Sequence, residues 1–307
     1  MEKEASDGYD VRATVEVLSE RDGLMNIAVF ADIHGRILLA FKLCARWEQE
    51  TGERLDLILQ AGDMGIFPDV SRLDKATMRI AEHDPTELGF MKDFVEYADE
   101  TAAVLAQTTC DLVFVRGNHE DHLWLDGLER QALGPCFPVD AYQRIYCLKT
   151  GFNYVYTKDN EQISILGIGR IGPRSQDTQN GRYIQPYEQT RLQILDALPV
   201  DILLTHDLPA GTSSRHMGMA EIRTALEKFQ PRYHFYGHIG GQCLLGISEN
   251  GSTQFCKLAD LEWHGTSQVV HPDSMAILRW TESTIHSLSI VREAWYKEYT
   301  ANTWQYL

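Results

Sequence analysis

No apolar run in this 307-residue chain approaches the roughly 18 residues a membrane helix needs, so a spanning helix is excluded. The amino terminus, Met1-Glu2-Lys3-Glu4, is too charged and acidic for a signal peptide, and the chain is expected to be cytoplasmic. None of the six cysteines, at 44, 110, 136, 147, 243 and 256, forms a C-x-x-C pair. A disulfide scaffold does not suit a chain of this size in a reducing compartment, and Cys44 and Cys147 read as small buried hydrophobes. Basic charge is also short: 28 Lys and Arg against 44 Asp and Glu leave a net charge of −16. That argues against a broad basic surface for coating nucleic acid. It leaves room for a small anionic substrate, because divalent ions would invert the potential locally. No internal repeat or low-complexity linker is present.

What is there is an ordinary globular composition, 44% hydrophobic, with enough length for one large α/β domain or two small ones. Five apolar stretches each stop at a polar pair: Ile27–Phe30 before Asp32-Ile33-His34, Leu55–Leu59 before Gly62-Asp63, Leu112–Val115 before Gly117-Asn118-His119-Glu120, Ile202–Leu204 before Thr205-His206, and Tyr233–Tyr236 before Gly237-His238. Short apolar runs of this kind read as buried strands, and in open α/β sheets ligands sit at strand carboxyl ends. Helical patterning over Ile37–Gln49, Glu87–Leu105, Tyr187–Leu198 and Met219–Phe229 alternates with them, which implies a mainly parallel sheet with right-handed crossovers. Shorter strand-like runs fill Arg144–Gly169. After His238 the runs Gln242–Ile247, Thr253–Leu258, Met275–Trp280 and Ile285–Val291 predict an antiparallel meander. The leader allows one short element around Thr14–Leu18.

Carboxylate and imidazole are good ligands for Mn, Fe and Zn, and a carboxylate can bridge two ions. Any one pair alone reads as a turn or helix cap. Their order and wording, D-x-H, G-D, G-N-H-E, H and G-H, resemble the calcineurin-like metallophosphoesterase superfamily over residues 26–240. The resemblance implies a four-layer α/β/β/α sandwich of two mixed sheets flanked by helices, with a charged extension over 1–24, a metallophosphoesterase domain over 25–291 and an aromatic tail over 292–307 that packs on the domain. It also implies two divalent ions, Mn foremost with Fe or Zn as variants. Asp32 and His34 would hold the first, Asp63 would bridge, and Asn118, His206 and His238 would complete the second. A hydroxide between the ions would attack phosphorus in line, and His119 would serve the leaving group.

One position departs from the pattern. Where the superfamily has G-H-x-H, this chain reads Gly237-His238-Ile239-Gly240, so the first ion keeps three expected protein ligands. Water, a substrate atom or a neighbour such as Gln242 is left to fill the gap. Glu120, His206-Asp207-Leu208-Pro209 and Gly167–Ile171 are also similar to RNA lariat debranching enzymes, which however carry Cys at the position of Asp32 and retain the final His.

The polar loop from Arg170 through Arg182 carries Arg170, Arg174 and Arg182, a side-chain type suited to bidentate phosphate recognition. Substrate contact is expected there, against a solvated surface loop. His122 either touches substrate or has a capping or surface role. The remaining histidines, 83, 216, 234, 264, 271 and 286, match no motif and read as structural, with His264 the most plausible exception. Trp295, Tyr296, Tyr299, Trp304 and Tyr306 are expected to pack on their own domain or, second, in a homodimer contact.

Together these features predict a phosphoesterase acting on a phosphodiester in a nucleotide or nucleic acid such as RNA. A phosphomonoesterase and a low-turnover nucleotide-binding regulator on the same fold are the alternatives.

Overall fold

The structure, a computed structural model, describes residues 24–173, 180–196, 198–212, 217–281 and 285–307. Thr14–Leu18 and Arg174 lie outside the described residues. The strands are β1 (Met25–Phe30), β2 (Leu57–Gln60), β3 (Asp111–Phe114), β4 (Cys136–Pro138), β5 (Ile145–Leu148), β6 (Asn153–Lys158), β7 (Glu161–Ile168), β8 (Ile202–Thr205), β9 (Tyr233–Tyr236), β10 (Leu244–Ile247), β11 (Gln254–Lys257), β12 (Trp263–His264), β13 (Val269–Val270), β14 (Ala276–Thr281) and β15 (Ile285–Ile290). The helices are α1 (Ile37–Thr51), α2 (Lys75–Ala81), α3 (Gly89–Asp93), α4 (Asp99–Leu105), α5 (His122–Gln131), α6 (Pro186–Ile194) and α7 (Ala220–Phe229).

Two mixed sheets result, ordered β15-β14-β1-β2-β3-β5-β4 and β10-β11-β9-β8-β7-β6. Strands β1, β2, β3 and β5 are mutually parallel, as are β7, β8, β9 and β11; β14, β4, β6 and β10 pair antiparallel with them, and β15 pairs antiparallel with β14. Alternation along each strand explains the layering. Ala28 and Phe30 of β1, with Ile58, Leu112 and Phe114, face α1 and share a core with Ile37, Phe41 and Cys44. Ile27 and Val29, with Leu57, Leu59 and Val113, meet Ile163, Ile165, Ile202, Leu204, Tyr233 and Phe235 of the other sheet. Leu166, Ile168 and Leu203 then pack on Ile222, Ala225 and Leu226 of α7. The order is helix, sheet, sheet, helix, the expected four-layer sandwich. Strands covered on both faces have no polar side to show, which is why they read as unbroken apolar runs.

Two expectations are corrected. The helical stretch Glu87–Leu105 is broken between α3 and α4, where the Tyr142 hydroxyl donates to Glu96 O and Ala98 O and accepts from Ala98 N. That side chain takes backbone groups which a continuous helix would have paired. The strands after His238 form no single meander. They divide into a β10–β11 hairpin on the second sheet and a β14–β15 hairpin beside β1 on the first.

Trp295, Tyr296, Tyr299 and Trp304 are buried in the core under α1, where Lys42 Nζ donates to the carbonyls of Trp304, Gln305 and Leu307. No helix of the described residues is long and apolar enough to cross a membrane.

Candidate metal centre

The parallel strands of both sheets end at one edge, and the loops that follow β1, β2, β3, β8 and β9 carry the motif residues there. Asp32, His34, Asp63 and His238 take φ of 46°, 43°, 52° and 69°, the left-handed region that non-glycine residues rarely occupy. Such strain persists only where surrounding structure enforces it, and it collects at functional sites. Here the loops enforce it on each other: Asp32 N donates to Gly62 O (3.0 Å), and His34 N to Asp63 O (2.9 Å). The glycines of two motifs have a second reason. A Cβ on Gly117 would overlap Asp63 Oδ1 and the Asp63 backbone N, and one on Gly237 would overlap Asp32 Oδ2.

Two groups of donors emerge. Asp32, His34 and Asp63 place ligand atoms within 4.8 Å of one another, and so do Asp63, His206 and His238. Asp63 belongs to both. Its Oδ1 accepts from Asn118 N (2.6 Å) and His119 N (2.7 Å), while Oδ2 lies 3.3 Å from His206 Nε2 and 4.0 Å from His34 Nε2. Asn118 Oδ1 joins the second group at 3.1 Å from His206 Nε2. His206 Nδ1 sits 3.0 Å from Ala61 O, so the protonated Nδ1 donates to that carbonyl and Nε2 is turned to the centre. His34 Nδ1 lies 3.9 Å from Glu87 Oε2, with Nε2 likewise directed inward. Carboxylate, amide and imidazole donors in two triads with a shared carboxylate fit a pair of divalent ions.

Burial and neighbouring charges shift the titration of several ligands of this centre. Burial pushes Asp32 up to about 8, with Asp260 and Asp63 adding to the rise and His206 opposing it. Burial also works to raise Asp63, but His206, His34 and His119 outweigh it and hold that carboxyl well below its usual range. Burial works to lower His206, yet Asp63 and Asp32 carry it up to about 10. His34 is pushed down to about 4, chiefly by burial, and so offers a neutral lone pair.

His119 belongs to neither donor triad; its Nδ1 lies 2.6 Å from Asp74 Oδ2, and its ring sits 5.5 Å from that of His34. Burial lowers the imidazole, but the Asp74 hydrogen bond and the charges of Asp63 and Asp74 lift it to about 9, so it carries a proton at neutral pH. Asp74 has no motif to announce it; it is also the N-cap of α2, accepting from Ala76 N and Thr77 N. Glu120 is a brace: its carboxylate accepts from Met64 N and Ile66 N, both at 2.8 Å, and from Gly117 N, tying the β2 and β3 loops together.

The arginine loop behaves differently from expectation. Arg170 has no exposed surface; its guanidinium bonds Glu188 (3.0 Å), Asp126 (2.6 Å), Tyr187 Oη and Gly181 O. Those partners use its donors, so phosphate contact at Arg170 is corrected to a structural tie among α5, α6 and the loop. Arg182 is exposed, its side chain bonded among the described residues to Asn180 Oδ1 of its own loop and lying over Tyr183. His122 opens α5 beneath Gly181, and both ring nitrogens are closed off from solvent without a hydrogen-bond partner. This placement corrects the expected substrate contact there. Gln242, offered for the Gly240 gap, is exposed. Leu208 and Ile239, close after His206 and His238, line a cleft of about 760 Å³ together with Tyr236, Phe255 and Leu244.

Residues 25–241 match the calcineurin-like phosphoesterase family. The chain is similar to the lariat debranching enzyme of Arabidopsis thaliana, 24% identical over 247 residues, covering 70% of this chain and 54% of that protein. It is also similar to the UPF0046 protein T07D4.2 of Caenorhabditis elegans, 30% identical over 135 residues, covering 41% of this chain and 33% of that one. The chain thus spans about half or less of the length of these curated relatives. Among solved structures, TT1561 of Thermus thermophilus is 14% identical with a TM-score of 0.49, covering 88% of this chain and all of its own. The family match takes in both sheets through His238 and every loop of the two donor triads, and the chain belongs to the calcineurin-like phosphoesterase family.

Proposed function

We propose that this protein is a dinuclear metal-dependent phosphoesterase that hydrolyses a phosphodiester in a nucleotide or nucleic acid. One observation carries the reading: Asp63 belongs to both donor triads, the arrangement a bridged ion pair requires. Asp32 and His34 would hold one ion, Asn118, His206 and His238 the other, and Asp63 would serve both. When bound, the ions polarise the phosphoryl oxygens and activate water near neutral pH.

The chain's own residues do the rest. Glu120 and the Gln60 side chain, which bonds Gly62 N (2.9 Å) and Gly62 O, fix the loops so that the ligands need no rearrangement. His119, protonated through Asp74, gives its proton to the departing oxygen. The apolar cleft beside His206 and His238 accepts an organic substituent of the substrate, and among the described loop arginines Arg182 is the one open to a phosphate. A diester has two organic arms for such a surface, and the similar Arabidopsis protein is named for debranching lariats.

The test is a screen of the metal-reconstituted protein against mono- and diesters, including cyclic nucleotides, dinucleotides and branched RNA. Diester turnover that disappears with chelator supports the proposal. Turnover of monoesters alone would leave a phosphatase, and tight nucleotide binding without turnover a regulatory protein.

A further inference from the structure

The site lacks the imidazole that a residue at 240 would carry, and Asp260 is the acidic side chain beside that position. A Cβ built on Gly240 meets only one atom within 4 Å, Asp260 Oδ2 at 3.9 Å. Asp260 reaches there from the strand next to β9, since β11 and β9 are hydrogen-bonded neighbours. It follows β11 and forms a parallel bridge with Ala31, while Leu261 N donates to Asp32 O (3.1 Å), so backbone pairing holds Asp260 alongside Asp32. Asp260 Oδ1 is buried and has no hydrogen-bond partner, a costly state for a carboxylate. The nearby Lys257 ammonium offsets the charge of Asp260 but makes no hydrogen bond to Oδ1. Lys257 Nζ is spent on the carbonyls of Gly240, Gly241 and Gln242, and this clamp fixes the turn that leaves the space open.

We propose that Asp260 is a ligand to the ion held by Asp32, His34 and Asp63, in place of the imidazole that Gly240 cannot supply. Resting on the dinuclear reading above, this gives the first site three carboxylates and one imidazole. The second site keeps two imidazoles, an amide and the shared carboxylate. Oxygen-rich sets suit Mg and Mn, whereas imidazole suits Zn and Fe, so the first site should take the harder ion.

The test counts and weighs Mn²⁺ on full-length protein by calorimetry and electron paramagnetic resonance. The wild type should bind two ions unequally. Asp260→Ala should weaken one of them by roughly tenfold or more, since even outer-shell changes cost 10–100-fold, and leave the other within about twofold. Adding Gly240→His to Asp260→Ala should restore the lost ion, because the imidazole returns to the same place. Unchanged affinities in Asp260→Ala, equal weakening of both ions, or no rescue by Gly240→His would each overturn the assignment. A wild type that binds no ion pair would instead defeat the dinuclear reading itself.

Discussion

His119 Nδ1 and Asp74 Oδ2 lie 2.6 Å apart, joining a loop after β3 to the N-cap of α2 across 45 residues of sequence. The pair sets when His119 can act as an acid. A folded-state value near 9, above the ordinary 6.5, means that the proton is held through neutral pH and lost as pH rises through 9. Asp74→Asn keeps a good N-cap but removes the charge. The basic limb of the kcat profile should move down by one unit or more, toward 6.5, as read by pH–rate measurements with metal content unchanged. A limb that stays near 9 would free His119 from Asp74.

His119→Ala should cut turnover by about 10²–10⁴ while leaving the metals in place, because its Nδ1 is committed to Asp74 and its ring belongs to neither donor triad. Metal analysis beside kinetics decides it. A lost ion would make His119 a ligand.

Metal binding should expel protons. His206, near 10, and Asp32, near 8, are both protonated in the metal-free centre at pH 7, and both must lose that proton to ligate. Affinity should therefore rise with pH by up to about a hundredfold per unit near neutrality for two released protons. Calorimetry in buffers of different ionisation enthalpy counts them, and zero release would contradict the charge state derived for the pair. The stability sign for His206 is the usual one for a raised group: its contribution is fully present below 6.5 and is lost as pH climbs through 10.

Arg170 and Arg182 separate by experiment. Arg170→Ala leaves Glu188 without its buried ion-pair partner, while Asp126 keeps Arg116, and should destabilise the fold by about 3–5 kcal/mol in denaturant titration. Arg182→Ala, at the surface, should leave stability alone and raise KM for extended nucleotides more than for a small chromogenic diester. The reverse pattern would reverse the roles.

The contrast shows what the sequence could carry. Each ligand from Asp32 to His238 directly follows a buried apolar run, so strand and ligand are legible together. Asp74 reads as a helix cap, which it is; that it also grips His119 is a tertiary fact. Arg170 reads as a free cation because Asp126 and Glu188 approach it from two helices. Strand periodicity likewise marked β10, β11, β14 and β15 without saying which sheet each joins, since a period of two fixes a face and not a neighbour.

Two glycines offer the sharpest test of the shared carboxylate. Neither Gly117 nor Gly237 has a positive φ, so alanine at either introduces a clash without backbone strain. At Gly117 the new methyl overlaps Asp63, which serves both triads; at Gly237 it overlaps Asp32, which serves one. Gly117→Ala should therefore weaken both ions together, and Gly237→Ala only the ion of Asp32 and His34. Gly127→Ala is the control: it lies inside α5 with open space at its Cβ, and should be neutral or stabilise by about 0.5–1 kcal/mol. Manganese titration of the three variants reads the outcome. If Gly117→Ala released a single ion and kept the other at full affinity, Asp63 would not bridge and the centre would be two separate sites.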